Sequence, residues 1–329
     1  MKSVYRLRKI GFSYNGYPVL DIADLEIGNA TLTAVVGPNG SGKTTLLNIL
    51  AFLDFPEQGD IRFFDQAVDR GNYRDFRRRI GFVQQKPYLF RTTVTGNIEM
   101  GLKIRKISKA ESRRRVDEML HRFNLSGFER RLPNELSGGE AQKVAIARTL
   151  VLEPEVLILD EPFNHLDSSF RADLENLIRS IVKDGAVTLI FTTHDQLHAQ
   201  VMADRILSLM DGRLTPLPAI NLFRGVLRED VFETGKIRIS VPPDSPARTM
   251  LAIDANQIVL SKHELESSMR NRFYGRVTGV KEQGGAIDVA VRAGETFHAV
   301  ISPTSLRELE IHPGDQIWVS FKSTAVQLF

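Results

Sequence analysis

Apolar and polar positions alternate from residue 4 to residue 36, the period of half-buried strands, with turns near Asn15-Gly16 and Gly28-Asn29. The alternation ends in an apolar run, Leu32 to Val36, then a glycine-rich stretch and a helical run from Lys43 to Leu53. Residues from about 91 to 150 read as mainly helical, and Ser108-Lys109-Ala110-Glu111 has the capping-box spacing that opens a helix through Phe123. Beyond them, strand and helix periods alternate. Val156–Leu159 and Val187–Thr192 read as strands, and segments near Ser169–Val182 and Gln196–Ala203 as helices. That alternation predicts an α/β fold, a parallel sheet covered by helices. Arg205–Leu214, centred on Asp211-Gly212, reads as a closing hairpin.

Thr215-Pro216-Leu217-Pro218 breaks the pattern, and nearly all that follows is short strands. Leu222-Phe223-Arg224-Gly225-Val226, then Lys236–Val241, resembles Phe273-Tyr274-Gly275-Arg276-Val277, then Ala286–Arg292. The ends match too: Asn256-Gln257-Ile258-Val259-Leu260 beside Thr324-Ala325-Val326-Gln327-Leu328. A degenerate duplication of a small β-barrel module accounts for both, the second copy being more complete. The domains expected are therefore 1–214, a linker and degenerate β module over 215–262, and a barrel over 263–329.

Composition adds limits. A chain of 329 residues has room for two domains, and 42% hydrophobic with 25% charged residues is ordinary for a globular protein. No apolar stretch reaches the roughly 18–20 residues of a membrane span, and Met1-Lys2-Ser3-Val4-Tyr5-Arg6 lacks the apolar core of a signal peptide. The absence of cysteine removes disulfides and thiol metal sites and fits a cytosolic location. The net charge is only +3 although the pI is about 9.1. A basic cluster (Lys103, Arg105, Lys106, Lys109, Arg113, Arg114, Arg115) reads first as a solvated helix face, with anionic lipid headgroups as the other option. It does not support nucleic-acid binding.

The chemistry sits where the periods change. Gly37-Pro38-Asn39-Gly40-Ser41-Gly42-Lys43-Thr44-Thr45 lies between an apolar strand and a helix, the context of a phosphate-binding loop. Glycines let successive N–H groups point at phosphate oxygens, and the helix dipole adds attraction. In such a loop Lys43 reaches the β- and γ-phosphates of ATP and Thr44 holds Mg²⁺. Val156-Leu157-Ile158-Leu159-Asp160-Glu161 is a buried strand ending in two carboxylates. Asp160 is placed to engage Mg²⁺, and Glu161 to orient and deprotonate the attacking water. Ser137-Gly138-Gly139-Glu140 fits a capping box, and a helix N-terminus bearing two glycines can also receive a γ-phosphate.

From residue 1 to about 214 the chain resembles the nucleotide-binding subunit of an ATP-binding-cassette (ABC) transporter. The resemblance implies a P-loop cassette with a RecA-like core, an antiparallel β subdomain and a helical subdomain, ahead of an all-β, OB-like barrel region. Leu136-Ser137-Gly138-Gly139-Glu140 resembles the family signature, which closes over the partner's ATP in a homodimer. Phe12-Ser13-Tyr14 resembles the aromatic loop, with the Tyr14 ring stacking on adenine. Gly81 to Phe90 resembles the glutamine loop, with Gln85 as lever and Mg²⁺ ligand; Tyr88 and Phe90 are candidates for a groove that receives a permease helix. Glu161-Pro162-Phe163-Asn164-His165-Leu166-Asp167 resembles the loop across the dimer interface, and Thr192-Thr193-His194-Asp195 the switch, with His194 near the γ-phosphate. Two departures stand out: Glu140 replaces a common Gln, and Phe163-Asn164-His165 replace small residues. Neither removes a ligand group, so activity is expected.

The resemblance implies an ATP-hydrolysing transport subunit on the inner face of the cell membrane. Its partners would be a separate permease and an extracytoplasmic binding protein. Repair and translation ABC ATPases are the alternative class. Repair members carry long coiled coils, for which the space between Gln85 and Ser137 is too short, and translation factors usually carry two cassettes. The C-terminal part resembles the small Mop/TOBE-like barrel of molybdate- and tungstate-binding proteins, at Ser268 to Gly275, Ile311 to Asp315 and Ser320 to Ser323. Carried over by position, Ser268, Arg270, Ser302, Ser305, Lys322 and Ser323 would be oxyanion ligands, and the cargo tungstate or molybdate. A purely structural barrel, with sugar, polyamine or iron as cargo, is the alternative, and import itself rests on the barrel resemblance.

Overall fold

The hairpin that opens the chain is made by two residues in left-handed backbone, Asn15 (φ 50°) and Gly16 (φ 81°), the turn whose twist matches that of the strands it joins. The computed structural model describes residues 3–329 except His165, Asp167, Asp184, Ala186, Pro218, Ala219 and Gly284. The chain divides into two units, one ending at Thr215 and one spanning Pro216–Phe329.

In chain order the first unit contains β1 (Ser3–Tyr14), β2 (Tyr17–Gly28), β3 (Leu32–Val36), α1 (Lys43–Leu50), β4 (Gln58–Phe63) and β5 (Gln66–Val68). Then come α2 (Tyr73–Arg77), β6 (Ile80–Val83), α3 (Val94–Ile104), α4 (Lys109–Arg122), α5 (Gly138–Leu150) and β7 (Val156–Leu159). The unit closes with α6 (Ser168–Lys183), β8 (Thr188–Thr193), α7 (Gln196–Met202), β9 (Arg205–Met210) and β10 (Arg213–Thr215). The alternating strands form an antiparallel sheet in the order β2-β1-β4-β5. The more apolar strands form the second sheet, β10-β9-β3-β8-β7-β6, parallel except for β10. Every residue of β3, β7 and β8 is buried, as expected of strands covered on both faces. One core cluster joins the two sheets: Tyr5, Leu7, Phe52 and Phe63 pack with Leu46, Ile158 and Ile190.

Between β6 and β7 the chain is helical. Ser108 caps α4 by accepting from the Glu111 N–H at 3.3 Å. The reciprocal half of the box is absent, because the Glu111 carboxylate turns to Arg114 and Arg115 instead. Those two hydrogen bonds, led by Arg114, lower its pKa to about 2. The basic cluster is thus largely matched by acids: Lys103 meets Glu99, Arg113 meets Asp117, and Arg115 also meets Glu153. It is a solvated, charge-paired helix face.

The second unit contains β11 (Ile220–Arg224), β12 (Val226–Arg228), β13 (Val231–Glu233), β14 (Arg238–Ser240), β15 (Met250–Asp254) and β16 (Val259–Ser261). It continues with β17 (Asn271–Gln283), β18 (Ala286–Ala293), β19 (Glu295–Ile301), α8 (Pro303–Glu308), β20 (Gln316–Phe321) and β21 (Val326–Leu328). The sequence likeness between its halves has a structural counterpart. β15, a 3₁₀ turn and β16 follow one another as do β20, a 3₁₀ turn and β21. The final strands are exchanged: β16 pairs with β20, and β21 pairs with β15. Gly225 and Gly275 both lie where a Cβ would strike a neighbouring strand's carbonyl, Glu233 O at 2.2 Å and Arg292 O at 2.5 Å. A single core, including Phe223, Phe232, Phe297 and Phe321, serves both halves.

Candidate functional site

The parallel sheet delivers three loops to one edge, because β3, β7 and β8 run side by side in the same direction. The loop after β3 is built by Gly40 (φ 81°) and Gly42 (φ 97°), conformations that side chains with a Cβ rarely adopt. At Gly42 a Cβ would also lie 2.8 Å from the Leu20 side chain. Gly42 gives α1 no side-chain cap, and no acid occupies its first turn. The free amides of a helix start need an acceptor, and the buried Ser41 hydroxyl beside them has no partner. This donor set fits a polyanion. The Lys43 ammonium donates to Gly37 O at 2.8 Å and Pro38 O at 3.0 Å, and lies 3.7 Å from Glu161 Oε1. Pro38, Asn39 and Gly40 are exposed, and Thr45 is buried.

Asp160 and Glu161 leave β7 together. One Asp160 oxygen accepts from Thr44 Oγ1 at 3.0 Å and the other from Thr192 Oγ1 at 2.6 Å. The Thr192 hydroxyl in turn accepts from the Glu161 N–H at 2.7 Å. Glu161 has φ 44°, a left-handed conformation that costs about 1–3 kcal/mol in a residue with a Cβ. The Thr192 bond holds it there. Glu161 Oε2 lies 3.2 Å from Nδ1 of His194, whose ring is largely exposed. Lys43, Thr44, Asp160, Glu161 and His194 are thus linked by direct contacts. Sequence reading named Thr192 only as part of the switch segment and missed its bridging role; no local signal marked it, since β8 carries buried threonines at 188, 192 and 193.

Other predicted residues stand around this centre. Gln85 is exposed two positions beyond β6, the strand paired with β7. Tyr14 ends β1 with 45% of its surface exposed, its hydroxyl donating to Asp54 at 3.0 Å. Tyr88 and Phe90 are 67% and 40% exposed, so neither is a core ring. The fully buried Asn97, also missed, fixes their loop: its amide accepts from the Phe90 N–H and donates to three carbonyls of residues 90–93. Ser137 and Glu140 form the complete reciprocal box at the start of α5, at 3.3 and 2.7 Å. Beside Gly138 there is open space, whereas a Cβ on Gly139 would lie 2.6 Å from the Phe170 ring. In the 161–167 loop Phe163 is buried; His165 and Asp167 lie outside the described residues.

In the second unit the six oxyanion candidates fall into two groups. Asn271 pairs with Phe321, so Ser268 and Arg270, just before β17, run beside Lys322 and Ser323, just after β20. Ser302 caps α8 by accepting from the Ser305 N–H, and the two hydroxyls lie 2.9 Å apart. They follow Ile301, which pairs with Ile287, itself opposite Glu282 at the far end of β17. One sheet therefore carries the two groups at opposite ends.

The ABC transporter family profile matches residues 20–164, and the TOBE domain profile matches residues 267–328. The chain is 31% identical to the molybdate/tungstate import ATP-binding protein WtpC of Pyrococcus abyssi, over 98% of this chain and 99% of that protein. It is 34% identical to the sulfate/thiosulfate import ATP-binding protein CysA of Bradyrhizobium diazoefficiens, over 94% and 95%. Among solved structures it resembles cbiO1 of Clostridium perfringens, part of an ABC transporter complex (TM-score 0.62, 30% identity, 66% of this chain and 88% of that one). It also resembles an ATP-binding cassette in a dimeric post-hydrolysis state with ADP and Pi (TM-score 0.58, 30% identity, 64% and 96%).

Proposed function

The chain belongs to the ABC transporter family and is an importer ATPase subunit, and from that premise we propose how its residues work and what it imports. The observation that carries the reading is the contact chain Lys43–Glu161–His194 beside Thr44–Asp160–Thr192. Lys43 leaves the carbonyls of Gly37 and Pro38 to bind the β- and γ-phosphates of ATP, together with the amides of residues 39–45. The hard oxygens of Thr44 and Asp160, with Gln85, suit Mg²⁺. When bound, that ion neutralises charge on the phosphate oxygens. Glu161, released from Lys43, takes the proton of the attacking water, and His194 holds it in line. Tyr14 supports the adenine. Ser137, Gly138 and Gly139 act on the nucleotide of a second copy; the unobstructed Gly138 supports that role.

The cargo is a tetrahedral oxyanion, tungstate or molybdate first. Full-length similarity to a molybdate/tungstate protein supports this, and the similarity to sulfate/thiosulfate proteins marks the same class of anion. Ser268, Arg270, Lys322 and Ser323 offer hydroxyls and two cations at one end of the barrel sheet. Ser302 and Ser305 complete a site there only when they come from a second copy. The subunit works at the cytoplasmic face, docked on permease subunits that receive cargo from an extracytoplasmic binding protein. Among the described residues no helix is long and apolar enough to span a membrane. Calorimetry of the full chain with tungstate, molybdate and sulfate tests the cargo class. Heat with tungstate or molybdate that disappears in Arg270→Ala and Lys322→Ala supports it; no heat with any of the three leaves the barrel structural and favours another solute.

A further inference from the structure

Behind the His194 loop lies a closed ring of polar contacts. Asp195, the N-cap of α7, accepts from the His198 N–H at 2.9 Å and from Arg171 Nη2 at 3.1 Å. Arg171 Nε donates to Glu175 Oε1 at 3.3 Å, and the same oxygen lies 2.7 Å from His198 Nε2. The ring closes where it began, on His198. Two elements contribute, Arg171 and Glu175 from α6, and His198 with the N-cap Asp195 from the start of α7. Burial pushes the Glu175 carboxyl up, but the His198 hydrogen bond and the Arg171 charge outweigh it and hold the group below its ordinary range. A carboxylate only accepts, so His198 Nε2 is the donor.

His198 is 1% exposed, and its other ring nitrogen has no partner. A buried nitrogen without a partner is costly, a cost leucine would not carry. What histidine adds is the Nε2–H donated to Glu175 and a ring held against Phe163. The Phe163 ring meets it edge-on, with centroids 4.7 Å apart, and Phe163 follows Glu161 by two residues. Asp195, at the other end of the ring of contacts, directly follows His194. His198 therefore touches both segments that carry the 3.2 Å Glu161–His194 contact.

We propose that His198 is a positioning residue for ATP hydrolysis. It anchors the His194 backbone through Glu175, Arg171 and Asp195, and braces Glu161 through Phe163. This rests on the reading that Glu161 and His194 act in hydrolysis. The phosphate loop lies outside the ring, so ATP binding is untouched by it.

The test is steady-state ATP hydrolysis and equilibrium ATP binding by the full chain carrying His198→Leu, His198→Gln, Glu175→Leu or Glu161→Gln. Leucine keeps the contact with Phe163 but donates nothing: kcat falls at least tenfold while the Kd for ATP stays within twofold. Glutamine can still donate to Glu175 and restores kcat to within threefold of the parent. If His198→Leu does not fold, Glu175→Leu, which removes the acceptor of both His198 and Arg171, replaces it, with kcat reduced threefold or more at constant ATP affinity. Parental kcat in His198→Leu or in Glu175→Leu overturns the proposal, as does a parallel loss of kcat and ATP affinity. An inactive Glu161→Gln beside a fully active His198→Leu defeats only this proposal. A fully active Glu161→Gln defeats the reading beneath it.

Discussion

Replacing Thr192 with valine, which has the same shape without the hydroxyl, removes the group that donates to the Asp160 carboxylate and accepts from the Glu161 N–H. Thr192 is fully buried, so no water stands in for the lost oxygen. Asp160 loses a hydrogen bond of 2.6 Å to a charged group, worth about 1.5–3 kcal/mol. The Glu161 N–H loses its 2.7 Å acceptor and stays buried, at about 1–3 kcal/mol. The new methyl returns about 0.8 kcal/mol of apolar burial. The net cost is about 2–5 kcal/mol, and it falls where Glu161 already carries backbone strain. For a unit of this length each kcal/mol moves Tm by about 2–4 °C, so its midpoint drops by about 4–20 °C. Thr192→Ser keeps the oxygen, loses one methyl, and costs about 1 kcal/mol. Calorimetric melting of the full chain, with the first unit's transition identified by its rise in ATP, separates the cases. Valine melting within about 2 °C of the parent, or no worse than serine, refutes the bridging role.

The Tyr5 hydroxyl donates to Leu50 O at 2.8 Å, and burial pushes its titration well above the ordinary value while the Arg79 charge pulls the other way. Its contribution is full below about pH 10 and is lost as pH rises above that, at up to about 1.4 kcal/mol per unit. Tyr5→Phe costs about 1–2 kcal/mol at pH 7 and flattens that alkaline decline; equal alkaline slopes in chemical denaturation would contradict this. Gly139→Ala drives a methyl into the Phe170 ring, which the Lys143 ammonium holds from 4.4 Å. The start of α5 shifts at a cost of about 1–3 kcal/mol, and ATPase turnover falls while ATP binding to the monomer is unchanged. Turnover equal to the parent would show that the start of α5 needs no fixed position.

Much of this was legible in the sequence because local geometry demands it. A loop with left-handed turns at Gly40 and Gly42 announces itself, as does a two-faced apolar strand ending in Asp160-Glu161. The Ser137 box was equally plain, since its partners are three residues apart. The Ser108 box was only half realised, because Arg114 and Arg115 compete for Glu111. Thr192 was not legible as a bridge, since its role arises from parallel pairing of β7 with β8, strands far apart in sequence. The likeness between the halves of the second unit was visible, but not the exchange of β16 and β21. Each of those is a three-residue strand whose partner is chosen by the shared core. The oxyanion candidates divided for the same reason: register, not composition, decides which end of a sheet a residue occupies.

In the proposed mechanism two copies of this chain share the hydrolysis of ATP, with Glu161 as base. The most direct measurement is ATPase rate per chain against protein concentration, with Mg-ATP, for the parent and Glu161→Gln. The rate per chain is expected to rise with concentration and level off as dimers form, and Glu161→Gln to bind ATP and accumulate as a dimer without turnover. A rate per chain independent of concentration, or a Glu161→Gln variant with parental turnover, would contradict it.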